Sequence, residues 1–206
     1  MLLPNCAVLP FLNCLKSMYH MLENGEKQRM QMMIIAFSNH LRYIFRDSMQ
    51  EVTLAEELQE VMDYHRIISL DTAVPLLLAT DVPDALLECY VPSLLIQTFL
   101  ENTCKYHGRD SGQILFDVEI AETEVDGAPF LHIRMTDNGV GYPPEILKAV
   151  NEAPAGTYDH THVGLNNLKR RMRLLYQDRC KFAFYNSVGG AFSSIYLPKH
   201  EEKIQL

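Results

Sequence analysis

The residues best suited to chemistry are Asp137, Gly139 and Gly141 in the stretch Asp137-Asn138-Gly139-Val140-Gly141, with Glu101, Asn102 and Lys105 upstream. Asp137 follows Leu131-His132-Ile133-Arg134-Met135-Thr136, where apolar and polar residues alternate as in a half-buried strand. An aspartate at a strand end accepts a hydrogen bond from an amino group, such as the exocyclic amine of adenine. Gly139 and Gly141 carry no Cβ, so the backbone can bend sharply there and lie close to a flat ligand. The same Asp-Asn-Gly also reads as a plain hairpin turn.

Residues 92–106 read as a helix with Leu94, Leu95, Phe99 and Leu100 on its apolar side. Glu101 and Lys105 are four apart and Asn102 and Lys105 three apart, so they share a face. Asn102 offers an amide oxygen, a hard ligand for Mg²⁺ already held by phosphates. Lys105 offers positive charge to those phosphates, and Glu101 a base or a group that orients water. A solvated Glu–Lys helix pair is the plain alternative. A third piece, Gly164-Leu165-Asn166-Asn167-Leu168, opens a helix running to about Tyr176, and helix N-termini favour phosphate. Lys169, Arg170, Arg171 and Arg173 add a basic cluster, which is equally the solvated face of an ordinary helix.

The elements that must position these groups fall into two parts. Helices over about 7–22 and 27–46, joined at Glu23-Asn24-Gly25-Glu26, form a hairpin striped by Met30, Met33, Ile34, Phe37, Leu41, Ile44 and Phe45. Thr53 and Glu56 make a capping box for a third helix, running to about Ile68. The boundary falls near 69–72, giving residues 1–70 as hairpin plus linker helix and 71–206 as a second domain. That domain mixes strands at 74–79, 114–122, 129–136, 181–185 and 192–197 with helices at 92–106 and 143–151. Asp126-Gly127 and Gly189-Gly190 supply turns. The class is α+β, with a mixed, largely antiparallel sheet and helices on one face.

With 206 residues, 48% of them apolar, the chain holds one large or two small packed domains. Its net charge of −8, from 18 basic and 26 acidic residues, argues against non-specific nucleic-acid binding. Five cysteines without close CxxC spacing indicate reduced thiols in a cytoplasm. The eight histidines are scattered and give no metal-ligand spacing. No apolar run reaches the ~18 residues of a spanning helix. The apolar start of the chain lacks the basic opening of a signal peptide and carries Pro4, Asn5, Pro10 and Asn13, so it reads as a core or partner-binding helix.

The order Glu-Asn-x-x-Lys, Asp-x-Gly-x-Gly, Gly-Leu-x-Asn resembles the nucleotide-binding boxes of the GHKL ATPases, which include gyrase, MutL and the histidine kinases. The flanks Leu95-Ile96-Gln97-Thr98-Phe99-Leu100-Glu101-Asn102, Leu174-Leu175-Tyr176-Gln177-Asp178, Phe11-Leu12-Asn13-Cys14-Leu15 and Leu41-Arg42-Tyr43 are similar to the LytS/YehU class of sensor histidine kinases. The resemblance covers nearly the whole chain. It implies a GHKL-type α/β sandwich that binds ATP and Mg²⁺, with Asp137 on adenine and Asn102 on the metal. Lys105 and the lid would hold the phosphates, and Glu101 would act as base or orienting group. The lid falls at 152–163, and Gly139, Gly141, His162, Gly164, Leu165 and Asn167 complete the nucleotide site. It further implies a dimer, homo- or heteromeric, through the N-terminal helices, a response-regulator partner, a cytoplasmic location and an upstream membrane or sensor region.

Two departures stand out. Aligned on Asn13, the family's phosphoacceptor histidine falls on Leu9, which has no lone pair with which to attack phosphorus. His20 lies three helical turns on, ~16 Å along the axis, and reads as a surface or interface residue. In the lid the family's Gly-x-Gly-Leu becomes His162-Val163-Gly164-Leu165, so His162 either donates to phosphate or obstructs it. Three activities follow as alternatives. One is a kinase homologue, degenerate or phosphorylating a histidine on another chain. Another is a nucleotide-binding pseudokinase that scaffolds or regulates. The last is an ATPase in which Glu101 activates water.

Overall fold

The structure, a computed structural model, describes residues 5–45, 50–71, 74–106, 112–152 and 163–203. Helices α1 (Asn5–Glu23) and α2 (Lys27–Ile44) make the hairpin. Gly25, at φ 73°, lets the chain turn left-handed after α1. There Gly25 N–H donates to Leu22 O at 3.1 Å and Glu26 N–H to Met21 O at 2.8 Å, which satisfies the last carbonyls of α1. Cys14, Met21, Met33, Ala36 and Phe37 form a small core with Ile67 of the next helix.

That helix, α3 (Leu54–Asp71), opens with the expected capping box. Glu56 N–H donates to Thr53 Oγ1, and Thr53 N–H to Glu56 Oε2, both at 3.2 Å. While Ile67 packs into the hairpin, Val61 and Tyr64 belong to the larger core of the sheet. A short pair not anticipated from sequence flanks α3: β1 (Glu51–Thr53) runs antiparallel to β3 (Tyr90–Pro92). Three residues are too few to display a period, so nothing in the pattern announces them.

The main sheet contains β2 (Leu76–Asp81), β4 (Ile114–Val125), β5 (Ala128–Asp137), β6 (Lys181–Ser187) and β7 (Gly190–Pro198) in the order β2-β4-β5-β7-β6. Only the β2–β4 pair is parallel, so the sheet is mixed and largely antiparallel, and the α+β class holds. The β4–β5 turn uses Asp126 at φ 54° and Gly127 at φ 80°, the pair of positive φ values that suits a right-twisted hairpin. Along β4, Ile114, Phe116, Val118 and Ile120 are buried and their neighbours are not. They meet Leu95, Phe99 and Leu100 of α4 (Leu95–Tyr106) and Leu168 and Met172 of α6 (Val163–Tyr176). Helix α5 (Pro144–Glu152) adds Ile146 to the same core. The opposite face is polar: His132 Nε2 lies 2.7 Å from Ser194 Oγ, and Arg134 pairs with Glu119.

Helix α4 starts later than its apolar pattern predicts, because Leu94 has φ 59°, a left-handed conformation no helix can include. A bulky residue there is strained, and something must hold it. The holder is the buried carboxylate of Glu57 on α3. It accepts from Leu94 N–H and Ile96 N–H, each at 2.8 Å, from Gln97 N–H at 3.4 Å, and from the Tyr43 hydroxyl of α2.

Candidate functional site

Asp137 ends β5, and its side chain ties three segments together. Oδ1 accepts from Gly139 N–H at 2.8 Å and from Ala191 N–H of β7 at 3.1 Å. Oδ2 accepts from the buried Thr103 hydroxyl of α4 at 2.9 Å. A carboxylate offers about four lone-pair positions. These three donors leave room for one more, such as a ligand amino group.

The following loop is fixed just as firmly. Asn138 accepts from Leu115 N–H and donates to Gln113 O, both at 2.8 Å, pinning the loop to the start of β4. Gly139 lies so close that a Cβ would sit 3.1 Å from Asp137 Oδ1 and 3.9 Å from Tyr106 O. Gly141 has φ 79°, and a Cβ there would meet Asn186 Oδ1 at 2.7 Å. Asn186 in turn accepts from Tyr142 N–H at 2.7 Å and donates to Tyr142 O at 2.9 Å. Burial, chiefly, pushes the Tyr142 hydroxyl up to about 12; it pairs with Ser193 Oγ at 2.6 Å and stays a neutral hydrogen-bonding group.

The two motifs therefore meet: Thr103 bonds Asp137, and Tyr106 O approaches Gly139. Asn102 immediately precedes Thr103 on α4, and Lys105 lies between the two contacts. Asn102 is half-buried, and its Nδ2 has no hydrogen-bond partner among the described residues. An amide's O and N are interchangeable by rotation, so either end can be presented at that position. A side-chain amide oxygen is a hard donor of the kind that suits Mg²⁺. Lys105 is exposed, with Nζ 5.0 Å from the centre of the Tyr106 ring. Glu101 accepts from Gln97 Nε2 at 2.7 Å. Surrounding protein pushes its carboxyl up, although the residue as a whole is exposed.

At the third motif, Gly164 is exposed, and a Cβ on it would stand 3.6 Å from Thr98 Cγ2, so the start of α6 lies beside α4. Leu165 is buried in the core, and Asn167 is exposed one turn in. His162 and the lid residues 153–162 lie outside the described residues. The basic run is not one phosphate-facing patch. Arg171 turns inward to donate to Ser93 O, and Lys169 lies over the Phe182 ring at 5.7 Å. Its own helix brings Arg171 inside because Leu168, Met172 and Leu175 on either side belong to the core. Leu9 falls within α1. His20 is exposed and paired with Glu23 at 3.5 Å. Three contributors were not singled out by sequence: Thr103, Asn186 and Gly190. Thr103 lay inside Glu101-Asn102-Thr103-Cys104-Lys105, where its hydroxyl was a legible signal. Gly190 gave no signal beyond its turn, yet a Cβ on it would fall 1.7 Å from Asp137 O.

A five-stranded mixed sheet is backed by the helix that carries Asn102, and the Asp-x-Gly-x-Gly loop is hydrogen-bonded to that helix. The chain superposes on the histidine kinase domain of a blue-light-activated histidine kinase from Erythrobacter litoralis with a TM-score of 0.51 at 12% identity, over 96% of this chain and 89% of that one. The catalytic domain of the histidine kinase ThkA gives a TM-score of 0.52 at 14% identity, over 72% of this chain and 94% of that one. Both show the fold. The histidine kinase family profile matches residues 11–73. An uncharacterized sensor-like histidine kinase of Staphylococcus epidermidis is 32% identical over 71% of this chain and 28% of its own length. Sensor protein LytS of Enterococcus faecalis is 25% identical over 89% of this chain and 31% of its own length. The chain belongs to the histidine kinase family and is similar to its LytS-type sensor members. It spans less than a third of the length of these curated relatives. Among the described residues no helix is long and apolar enough to cross a membrane.

Proposed function

We propose that this chain is the ATP-binding transmitter module of a sensor histidine kinase, acting in two-component signal transduction. The observation that carries the reading is the Thr103–Asp137 hydrogen bond. It ties the helix that carries Asn102 and Lys105 to the end of β5 that carries Asp137, which supports reading the three as one site. ATP supplies the phosphoryl group. Asp137 receives the adenine amine, Asn102 holds Mg²⁺ against the phosphates, and Lys105 with the start of α6 neutralises their charge. Glu101 is the base or orienting group. The division is residues 1–70 for the hairpin and linker helix and 71–206 for the ATPase domain. Leu12, Leu15, Tyr19, Leu22, Met32 and Ile35 are exposed along the hairpin. Such an apolar face suits a four-helix dimer, with this chain or a homologue as partner. A response regulator is the downstream partner, the module is cytoplasmic, and nucleic acid is not a ligand.

Leu9, at the family's acceptor position, supports a second reading: a nucleotide-binding pseudokinase that scaffolds or regulates. Calorimetric titration with a non-hydrolysable ATP analogue and Mg²⁺ tests the pocket common to both. Wild type is expected to bind. Asp137→Asn loses a charge-assisted hydrogen bond of about 1.5–3 kcal/mol, roughly a ten- to hundredfold weaker affinity. Asn102→Ala removes the Mg²⁺ dependence. Absence of binding by well-folded wild type would refute the pocket.

A further inference from the structure

Where α2 packs on α3, a histidine and a carboxylate form a nearly enclosed pair. His40 Nδ1 of α2 lies 2.5 Å from Glu60 Oε1 of α3, with the two side chains 14% and 3% exposed. A carboxylate only accepts, so Nδ1 carries the proton and Nε2 the lone pair. Nε2 has no hydrogen bond among the described residues, and the ring packs against Tyr64 with centroids 5.4 Å apart. Beside His40, Asn39 Nδ2 donates to Asp63 Oδ2 at 3.2 Å, which fixes this turn of α2 on α3. The neighbour on the α4 side is Glu101, the residue immediately before Asn102, and it interacts electrostatically with both His40 and Glu60. A ring held by a carboxylate at one nitrogen, with the other left nucleophilic, is the arrangement that activates histidine.

The other described histidines do not share it. His20 is exposed on the far hairpin helix and meets only Glu23 and the Tyr19 ring. His65 Nε2 is bonded to Leu76 O at 2.8 Å. His132 lies on the polar face of the sheet, against Ser194 and Tyr196. His200 is engaged by Glu51 at 2.8 Å.

We propose that His40 is the phosphoacceptor of this chain, a histidine on the second hairpin helix that receives the γ-phosphoryl group of ATP although the first helix carries Leu9. The proposal rests on the reading of the cleft as an ATP pocket. In the transfer, the Nε2 lone pair attacks the γ-phosphorus. The bond from that phosphorus to the β,γ-bridging oxygen breaks, and its electron pair leaves with ADP. The Nδ1 proton of the ring passes to Glu60, leaving a neutral ring that bears the phosphoryl group. Glu60 sets the tautomer and takes up the ring proton as the general base.

The test incubates the full chain with Mg²⁺ and γ-labelled ATP, maps any label by peptide mass spectrometry, and measures nucleotide affinity of the same samples by calorimetry. Wild type is expected to take up an acid-labile, alkali-stable label on the peptide that contains His40. His40→Asn should lose the label while keeping wild-type nucleotide affinity, and His20→Asn should label as wild type does. Glu60→Gln should slow labelling about a hundredfold without changing affinity, the size of a lost general-base contribution. Nucleotide binding without label on wild type, or label elsewhere than His40, overturns the proposal and leaves the pocket standing. Absence of nucleotide binding overturns the pocket reading and the proposal with it. Should His40→Asn fail to fold, the site mapped on wild type decides.

Discussion

Replacing Glu57 tests whether the hairpin and the pocket helix are joined by one buried carboxylate. The Glu57 side chain receives the N–H groups of Leu94, Ile96 and Gln97 and the hydroxyl of Tyr43. Burial pushes its carboxyl up, and these donors pull it back toward the charged form. It sits at the N-terminus of α4, where the helix leaves N–H groups unpaired and favours negative charge. It also holds Leu94 at φ 59°, a strain of roughly 1–2 kcal/mol. In Glu57→Ala these donors lose their acceptor inside the protein. A buried unsatisfied donor costs ~1–3 kcal/mol, and with partial entry of water we predict a total loss of about 4 kcal/mol. Against a folding stability of ~5–15 kcal/mol that is severe, and it lowers the melting temperature by roughly 8–16 °C. Glu57→Gln keeps one acceptor oxygen and should lose about half as much. Urea unfolding gives the stabilities, and a double-mutant cycle with Tyr43→Phe gives the coupling between α2 and α3. Asn102 and Thr103 ride on α4, so nucleotide affinity should weaken in the same order. Glu57→Ala within about 1 kcal/mol of wild type, or no coupling to Tyr43, would refute the reasoning.

Two further predictions follow from close packing and from titration. Gly190→Ala would put a Cβ 1.7 Å from the Asp137 carbonyl oxygen. The clash is with backbone, so we predict a loss of about 3 kcal/mol or more in urea unfolding, with weaker nucleotide binding because Asp137 must move. His200 is pulled one way by burial, which disfavours its charge, and more strongly the other way by its hydrogen bonds to Glu51 and Pro198 O. Its pKa therefore lies above the ordinary 6.5. The resulting stabilisation is fully present below that value and is lost as pH rises through the higher folded-state pKa. Thermal unfolding should show this fall on the alkaline side of 6.5, and His200→Gln should flatten it.

Legibility in the sequence followed the length over which a physical signal repeats. The alternation in β4 and β5 continues for most of each strand, and both were placed within a few residues, as was the Asp126-Gly127 turn between them. The Thr53–Glu56 box announced α3 because both of its hydrogen bonds are local. In contrast β1 and β3 gain their existence from each other, across a separation no local period reports. Lys169, Arg170, Arg171 and Arg173 looked like one basic face because charge was read without position. Arg171 faces inward on the same stripe as Leu168, Met172 and Leu175, and a plot of the helix against its apolar residues would have separated it.

The candidate site was legible for a related reason, and its supports were not. Asp137, Asn102 and Lys105 are chemically conspicuous types within short motifs. Glu57 and His40 are not conspicuous: a glutamate in a Glu-rich helix and a histidine among scattered histidines carry no local signal. What makes them notable is where α3 lies. Its Val61 and Tyr64 pack into the core of the sheet and its Ile67 into the hairpin, so the same helix can send Glu57 to the start of α4 and Glu60 to His40. One turn of α3 thus touches both the helix that carries Asn102 and the helix that carries His40. A rotation of α2 that disturbed Tyr43 would act on Glu57 and hence on α4. The same rotation would carry His40 relative to Glu60 and Glu101. The proposed nucleotide site and the proposed nucleophile therefore share one packing arrangement, and a variant that uncouples them, such as Tyr43→Phe, should alter label uptake more than nucleotide affinity.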